Sequence, residues 1–326
     1  MIRALVLQGL LAQSALAATG SDWFASVYTN GGIELRADDR VFALFSVFNA
    51  VGLDGGTLSR TTPVPKVTYP KVRAMVRARV LGAQPEVREA AEAFLDAHPV
   101  ALEKYLAAAL SAEPPPFDQP QAGELKGLEL VLRQAWTGWR LEELVREAQS
   151  AQRQALRAWQ PVLDGPLGRA KEALQSPDAE VVLIANLLDA PDTARAVRGG
   201  PGRVYVVVGP TDHPDVERVV RALARLFLEP VVARQAGRWV SGPAALREAQ
   251  QAGAPERTVQ DLATEALSLA VTLTSVEAPD TRWDAAASGG YAGIKDAARL
   301  LDDAKPLDGW ALDAMHMLET RRPAKK

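Results

Sequence analysis

Hydrophobic and polar positions alternate along the chain with two periods, and the switches between them mark out its elements. Residues 26–36 (SVYTNGGIELR) set β-forming residues on either side of Asn30-Gly31-Gly32, a tight-turn signature that predicts a hairpin. Residues 41–51 (VFALFSVFNAV) are apolar for long enough to form a buried helix, with Asp38 and Asp39 at its start. Residues 52–70 are rich in Gly, Thr and Pro and read as an irregular, exposed connection. From 71 to 110 the spacing is helical: Met75, Val76 and Val80 mark one helix, and Val87, Ala91, Phe94 and Leu95 another. His98-Pro99 then breaks the chain before the pattern resumes at Val100.

Residues 114–120 (PPPFDQP) interrupt this pattern and form a candidate seam between subdomains. Residues 123–175 are a long, charge-laced helical region carrying Trp136, Trp139 and Trp159, with a kink or break expected at Pro161 and Gly165-Pro166. Residues 179–188 (AEVVLIANLL) predict a buried strand, and the turn Gly199-Gly200-Pro201-Gly202 leads into a second strand over 204–208. Helices are then predicted over 215–234, 242–252, 256–275, 291–302 and 307–320, and no fixed-period repeat is present. The sum is an α+β architecture, predominantly helical around a small β-sheet. Its divisions are 1–18, 19–113 (hairpin plus helices), 121–178 (long helical region) and 179–326 (strands and C-terminal helices).

Composition narrows the function classes. A net charge of −3 with no extended basic block argues against nucleic acid as a partner, and 48% hydrophobic residues provide for a sizeable core. The terminal RRPAKK is short enough to be solubilising only. At the other end, Arg3, the apolar run 4–12 and Ala15-Leu16-Ala17 form the charged, apolar and small-x-small parts of a secretory signal. The alternative is a buried N-terminal helix. Cleavage near Ala17/Ala18 takes the net charge to −4 and places the chain in the periplasm or the extracellular medium, with no transmembrane segment. The absence of cysteine removes disulfide frameworks, thiolate metal sites and a lipid-modified cysteine.

The stretch 203–232 (RVYVVVGPTDHPDVERVVRALARLFLEPVV) orders a strand, a loop and a helix as zincin metallopeptidases do. In an active zincin that helix carries His-Glu-x-x-His, which puts two imidazoles on one face for Zn²⁺ and a Glu to activate water. Here Arg221 and Arg225 stand at the two His positions and Ala222 at the Glu position. A guanidinium has no lone pair for a cation. Glu265, 40 residues after Arg225, falls where a gluzincin places its third ligand. The chain also resembles a family of exported bacterial proteins of uncharacterised function whose members can carry the intact motif. That resemblance spans about residues 26 to 320 and includes GIELRADDRVFALFSVFNAVG and DAHPV. It implies a degenerate zincin-like core without catalytic residues, metal or cofactor.

The same helix has a plainer reading. Val216, Val219, Val220, Leu223 and Phe227 form an apolar stripe, while Arg218, Arg221 and Arg225 form a solvated face. The sharper expectation is that Arg221 or Arg225 pairs with Glu265 where zinc once sat, so that Arg221→Ala costs a few kcal/mol. Among other candidates, His98 reads as a helix-end residue and His316 as a capping or packing residue. His213 is the remaining metal or acid–base candidate, with Asp212 or Asp215 as the helix cap. Trp136 and Trp139 share a helical face and suit a core or, alternatively, a sugar or peptide groove. Residues 289–310 are placed to cover a cleft. No nucleophile elbow or phosphate loop is present. The readings left open are an exported non-catalytic protein binding a peptide, protein or envelope component, an active metal-dependent hydrolase with an atypical site, and a purely structural helical domain.

Overall fold

A computed structural model describes residues 26–52, 71–302 and 305–318; the expected signal segment, most of the 52–70 connection and the basic tail lie outside the described residues. The hairpin forms as expected: β1 (Ser26–Asn30) and β2 (Ile33–Arg36) pair antiparallel across Gly31 and Gly32, which take φ of 53° and 75°. β2 runs parallel to β3 (Glu180–Ala185), and β3 parallel to β5 (Arg203–Val208). A further strand, β4 (Ala194–Arg198), lies antiparallel on β5 and closes a five-stranded sheet of order β1-β2-β3-β5-β4. The glycine turn at 199–202 is therefore the tip of a second hairpin, and not only the lead into one strand. The sequence ARAVR hid β4 because an edge strand of Ala and Arg carries no apolar signal.

Helices cover both faces of the sheet, which is why β3 and β5 are continuously apolar instead of alternating. Val182, Ile184, Tyr205 and Val207 point into one core with α1 (Asp39–Val51), α2 (Lys71–Leu81), α3 (Pro85–Ala97), α4 (Leu102–Ser111) and α5 (Leu128–Gly138). Val181, Leu183, Val204 and Val206 point into the other, with the second half of α6 (Leu141–Ala173), α7 (Val216–Gln235), α9 (Val259–Ser275) and α12 (Leu307–Met317). The fold is α+β and predominantly helical around a small mixed sheet. Helix α6 serves both cores, through Leu144 and Ala148 on one side and Leu156, Leu163 and Leu167 on the other.

Of the kink or break expected at Pro161 and Gly165-Pro166, the break does not occur; α6 runs through both prolines. Each interior proline costs a helix about 3 kcal/mol. Trp159, Leu163 and Leu167, buried on successive turns beside them, return about 1.5–3 kcal/mol apiece, a sum of the same size as the local penalty. Trp136 and Trp139 are core residues, the latter fully enclosed. Two short helices complete the chain, α8 (Gly242–Gln251) and α11 (Ile294–Arg299), together with α10 (Asp280–Ser288), which the residue pattern did not predict. Among the described residues no helix is long and apolar enough to cross a membrane.

A buried polar knot ties β2 to α1 and α4. Asp38 caps α1 by accepting from the Arg40 N–H at 3.1 Å, and its carboxylate also takes the guanidiniums of Arg36 (3.0 Å) and Arg40 (2.7 Å). Arg40 in turn donates to the carbonyls of Leu110 (2.6 Å) and Ala112 (3.1 Å), satisfying the end of α4.

Candidate functional site

Helix α7 starts at Asp215, whose side chain accepts from the Glu217 N–H at 3.1 Å; the cap is Asp215 and not Asp212. Of its apolar stripe, Val219, Val220 and Leu223 are buried in the core beside Leu228, and Val216 and Phe227 are partly buried against it, which fixes the face that carries the arginines. Helix α9 is held by Thr258, which caps it through the Asp261 N–H at 3.0 Å, and it is buried along nearly its whole length. The side chain of Glu265 projects from it with 9% exposure.

Arg221 donates through Nη2 to Glu265 Oε1, and Arg225 through Nη1 to Glu265 Oε2 at 3.1 Å. The structure thus brings Arg221, Arg225 and Glu265 together, with both arginines on the carboxylate where the sequence suggested one or the other. The side chains of Arg221 and Arg225 are 42% and 55% exposed. The expected cost of Arg221→Ala must therefore be revised downward: Arg225 stays on the carboxylate, and solvent screens the pair. The face is both solvated and ion-paired, since Arg218 also binds Asp215 at 2.8 Å.

A cleft of about 550 Å³ opens over this pair. Its walls include Ala194 and Arg195 from β4, Ala222 from α7, Leu269 and Thr272 from α9, and Arg282 from α10, which is ion-paired with Glu217. Arg195 anchors its wall on the fully buried carboxylate of Asp189 at 3.1 Å and on Glu103 at 3.3 Å. Asp189 also accepts from the Ala190 N–H (2.7 Å) and the Thr193 hydroxyl (3.0 Å), so it shapes the turn into β4. At the other end of the strand, Arg198 lies over the ring of Phe227 at 4.9 Å and ties β4 to α7.

β4 is an edge strand. Gly199 N–H donates to Arg203 C=O and Gly209 N–H to Thr193 C=O, which identifies 199/203 and 193/209 as hydrogen-bonded pairs. The antiparallel alternation then turns the backbone N–H and C=O groups of Ala194, Ala196 and Arg198 toward the outer edge.

The other candidates fall away from this cleft. His213 is exposed, does not line it, and is engaged through its backbone with the Thr211 hydroxyl. His98 ends α3, stacks on Phe94 and bonds the Phe94 carbonyl at 2.8 Å. His316 sits in the last turn of α12. Among the described residues no three His, Cys, Asp or Glu side chains gather as a metal site. The stretch 289–310 does not cover the cleft. Its Tyr291 and Ile294 instead line a larger hollow of about 750 Å³ on a neighbouring face of α9, bounded also by Leu262, Ala266 and Trp283. The Tyr291 hydroxyl donates to Glu256 at 2.7 Å, and burial together with that bond pushes its pKa well up, while Arg221 and Arg225 pull the other way. The parts played by Asp189 and Arg282 carry no signal in the sequence: neither residue sits in a motif, and α10, which bears Arg282, has too little apolar content to declare itself.

Comparison of the chain with protein-family models, with curated proteins and with solved structures gives no match.

Proposed function

We propose that the chain is an exported, non-catalytic binding protein on a degenerate metallopeptidase-like core, and that it takes an extended peptide segment in the cleft over Arg221, Arg225 and Glu265. The observation that carries this reading is the pair of guanidiniums on one carboxylate, at the helical spacing where zinc-binding imidazoles stand in a zincin. Arginine cannot ligate a metal, and Ala222 between them has no proton to move. What is left is a charged cleft beside an edge strand whose outward backbone groups pair with no further strand among the described residues, the setting in which an extended peptide adds as a strand.

Two measurements test the reading. The purified mature chain, exposed to modest zinc and desalted, is expected to hold less than about a tenth of an equivalent by elemental mass spectrometry; close to one equivalent would sink it. A fluorescent heptapeptide of β-forming sequence is expected to bind, and its counterpart N-methylated at alternate residues is not, because methylation removes the donors that pair with β4. Equal binding of the two would remove the strand-addition part of the reading.

A further inference from the structure

The cleft has a polarity that selects among peptides. Its floor is positive, because Arg221 and Arg225 share the single charge of Glu265, while the exposed carboxylate of Asp192 lies elsewhere in the lining. Arg218 with Asp215 and Arg282 with Glu217 are one-to-one pairs, and Arg195 rests on Asp189. Each guanidinium presents five N–H donors in a planar fork. At the floor of the cleft, each spends one of them on Glu265, and both side chains are about half exposed.

We propose that the cleft recognises its peptide through one carboxylate, seated on the remaining donors of Arg221 and Arg225 opposite Glu265. This rests on the reading of the cleft as a peptide site. A guanidinium fork matches a carboxylate in two-point geometry, and two forks converging from one helix face can hold a second carboxylate as they hold the first. A single excess charge balances one carboxylate. A phosphate group, with about −1.5 to −2 charges, would leave the floor net negative. Glu265 is then an internal competitor that keeps both forks parallel when no ligand is present. The carboxylate can belong to an acidic side chain or to a chain end, and the test separates the two.

Three labelled heptapeptides of one β-forming sequence serve as probes for the full chain by fluorescence anisotropy. The first is amidated with a central Gln, the second amidated with a central Glu, and the third has the central Gln and a free C-terminal carboxylate. One of the two carboxylate peptides is expected to bind about ten- to hundredfold tighter than the neutral one, which identifies the source of the carboxylate. In Arg221→Gln/Arg225→Gln/Glu265→Gln, which removes the charges of the floor together, that preference disappears. In Glu265→Gln alone the preference grows, a gain that a damaged fold could not produce. If all three peptides bind the native chain alike, or the triple variant keeps the preference, the carboxylate proposal is overturned and the peptide site stands. If none of the three binds, the peptide reading and this inference fall together.

Discussion

Arg225 reaches Glu265 across 3.1 Å from a helix 40 residues earlier in the chain, while Arg221, one turn before it, takes the other carboxylate oxygen. The carboxylate is nearly buried and the arginine side chains are half in water, so the three charges are unequal in what their loss costs. Removing either arginine alone is expected to destabilise by about 1 kcal/mol or less. Removing both with Arg221→Ala/Arg225→Ala leaves an unpaired buried carboxylate and is expected to cost about 3 kcal/mol, more than the sum of the two. Urea melts of the two single variants and the double decide it; additivity within about 0.5 kcal/mol would show that the arginines do not share the burden.

If α7 retains the register of a zinc-binding helix, the ligands can be put back. Arg221→His, Ala222→Glu and Arg225→His together restore the motif opposite Glu265, and the triple variant is expected to gain about one equivalent of zinc. A triple variant that folds, by circular dichroism, yet retains no zinc would show that α7 and α9 do not stand in zincin geometry.

Asp39 ties stability to pH. Burial, with the nearby charges of Asp38 and Glu142, pushes its pKa up from 3.8 to about 7, against the pull of Arg40. The folded chain therefore holds a proton that the unfolded chain has released, and this contribution is fully present near pH 3.8 and is lost as the pH rises to about 7. Asp39→Asn has no such proton to lose. Relative to the native chain the variant is expected to gain stability across that window, by a few kcal/mol at most, and to hold the gain at higher pH. Denaturant melts at about pH 4.5 and about pH 8 measure it; an unchanged difference between the two proteins would remove Asp39 as the titrating group.

Asp189 is the hidden support of the cleft wall. Its fully buried carboxylate holds Arg195, Thr193 and the Ala190 N–H together at the turn into β4. Asp189→Ala is expected to cost about 3 kcal/mol in global stability. It should also speed amide exchange in β4 more than in β3, because β4 has a neighbouring strand on one side only. Uniform acceleration across both strands would show that Asp189 supports the core at large and not this wall.

Much of the architecture is legible in the order of the residues. The hairpin at Asn30-Gly31-Gly32, the apolar α1, the runs that form β3 and β5, and the amphipathic α7 all declare themselves through local rules, because turn chemistry and side-chain periodicity act within a few residues. The positions of Arg221 and Arg225 on one face of α7 follow from the same periodicity. The elements that escape lack such a signal. β4 is a short edge strand of Ala and Arg, and α10 begins after Pro279 with little apolar content. The two prolines inside α6 point the opposite way, and burial of Trp159, Leu163 and Leu167 offsets them.

By itself, then, the sequence determined most of the helices, the strand cores and the absence of His-Glu-x-x-His, since each depends on residue type and near-neighbour spacing. Only the tertiary structure decided that both arginines share Glu265, that Asp189 anchors the wall beside them, and that His213 stands outside the cleft. Those are relations between side chains distant in sequence, where burial sets which charge is deprived of water and which stays half solvated. No local pattern encodes that difference; it comes from how α7, α9 and the edge of the sheet pack against one another.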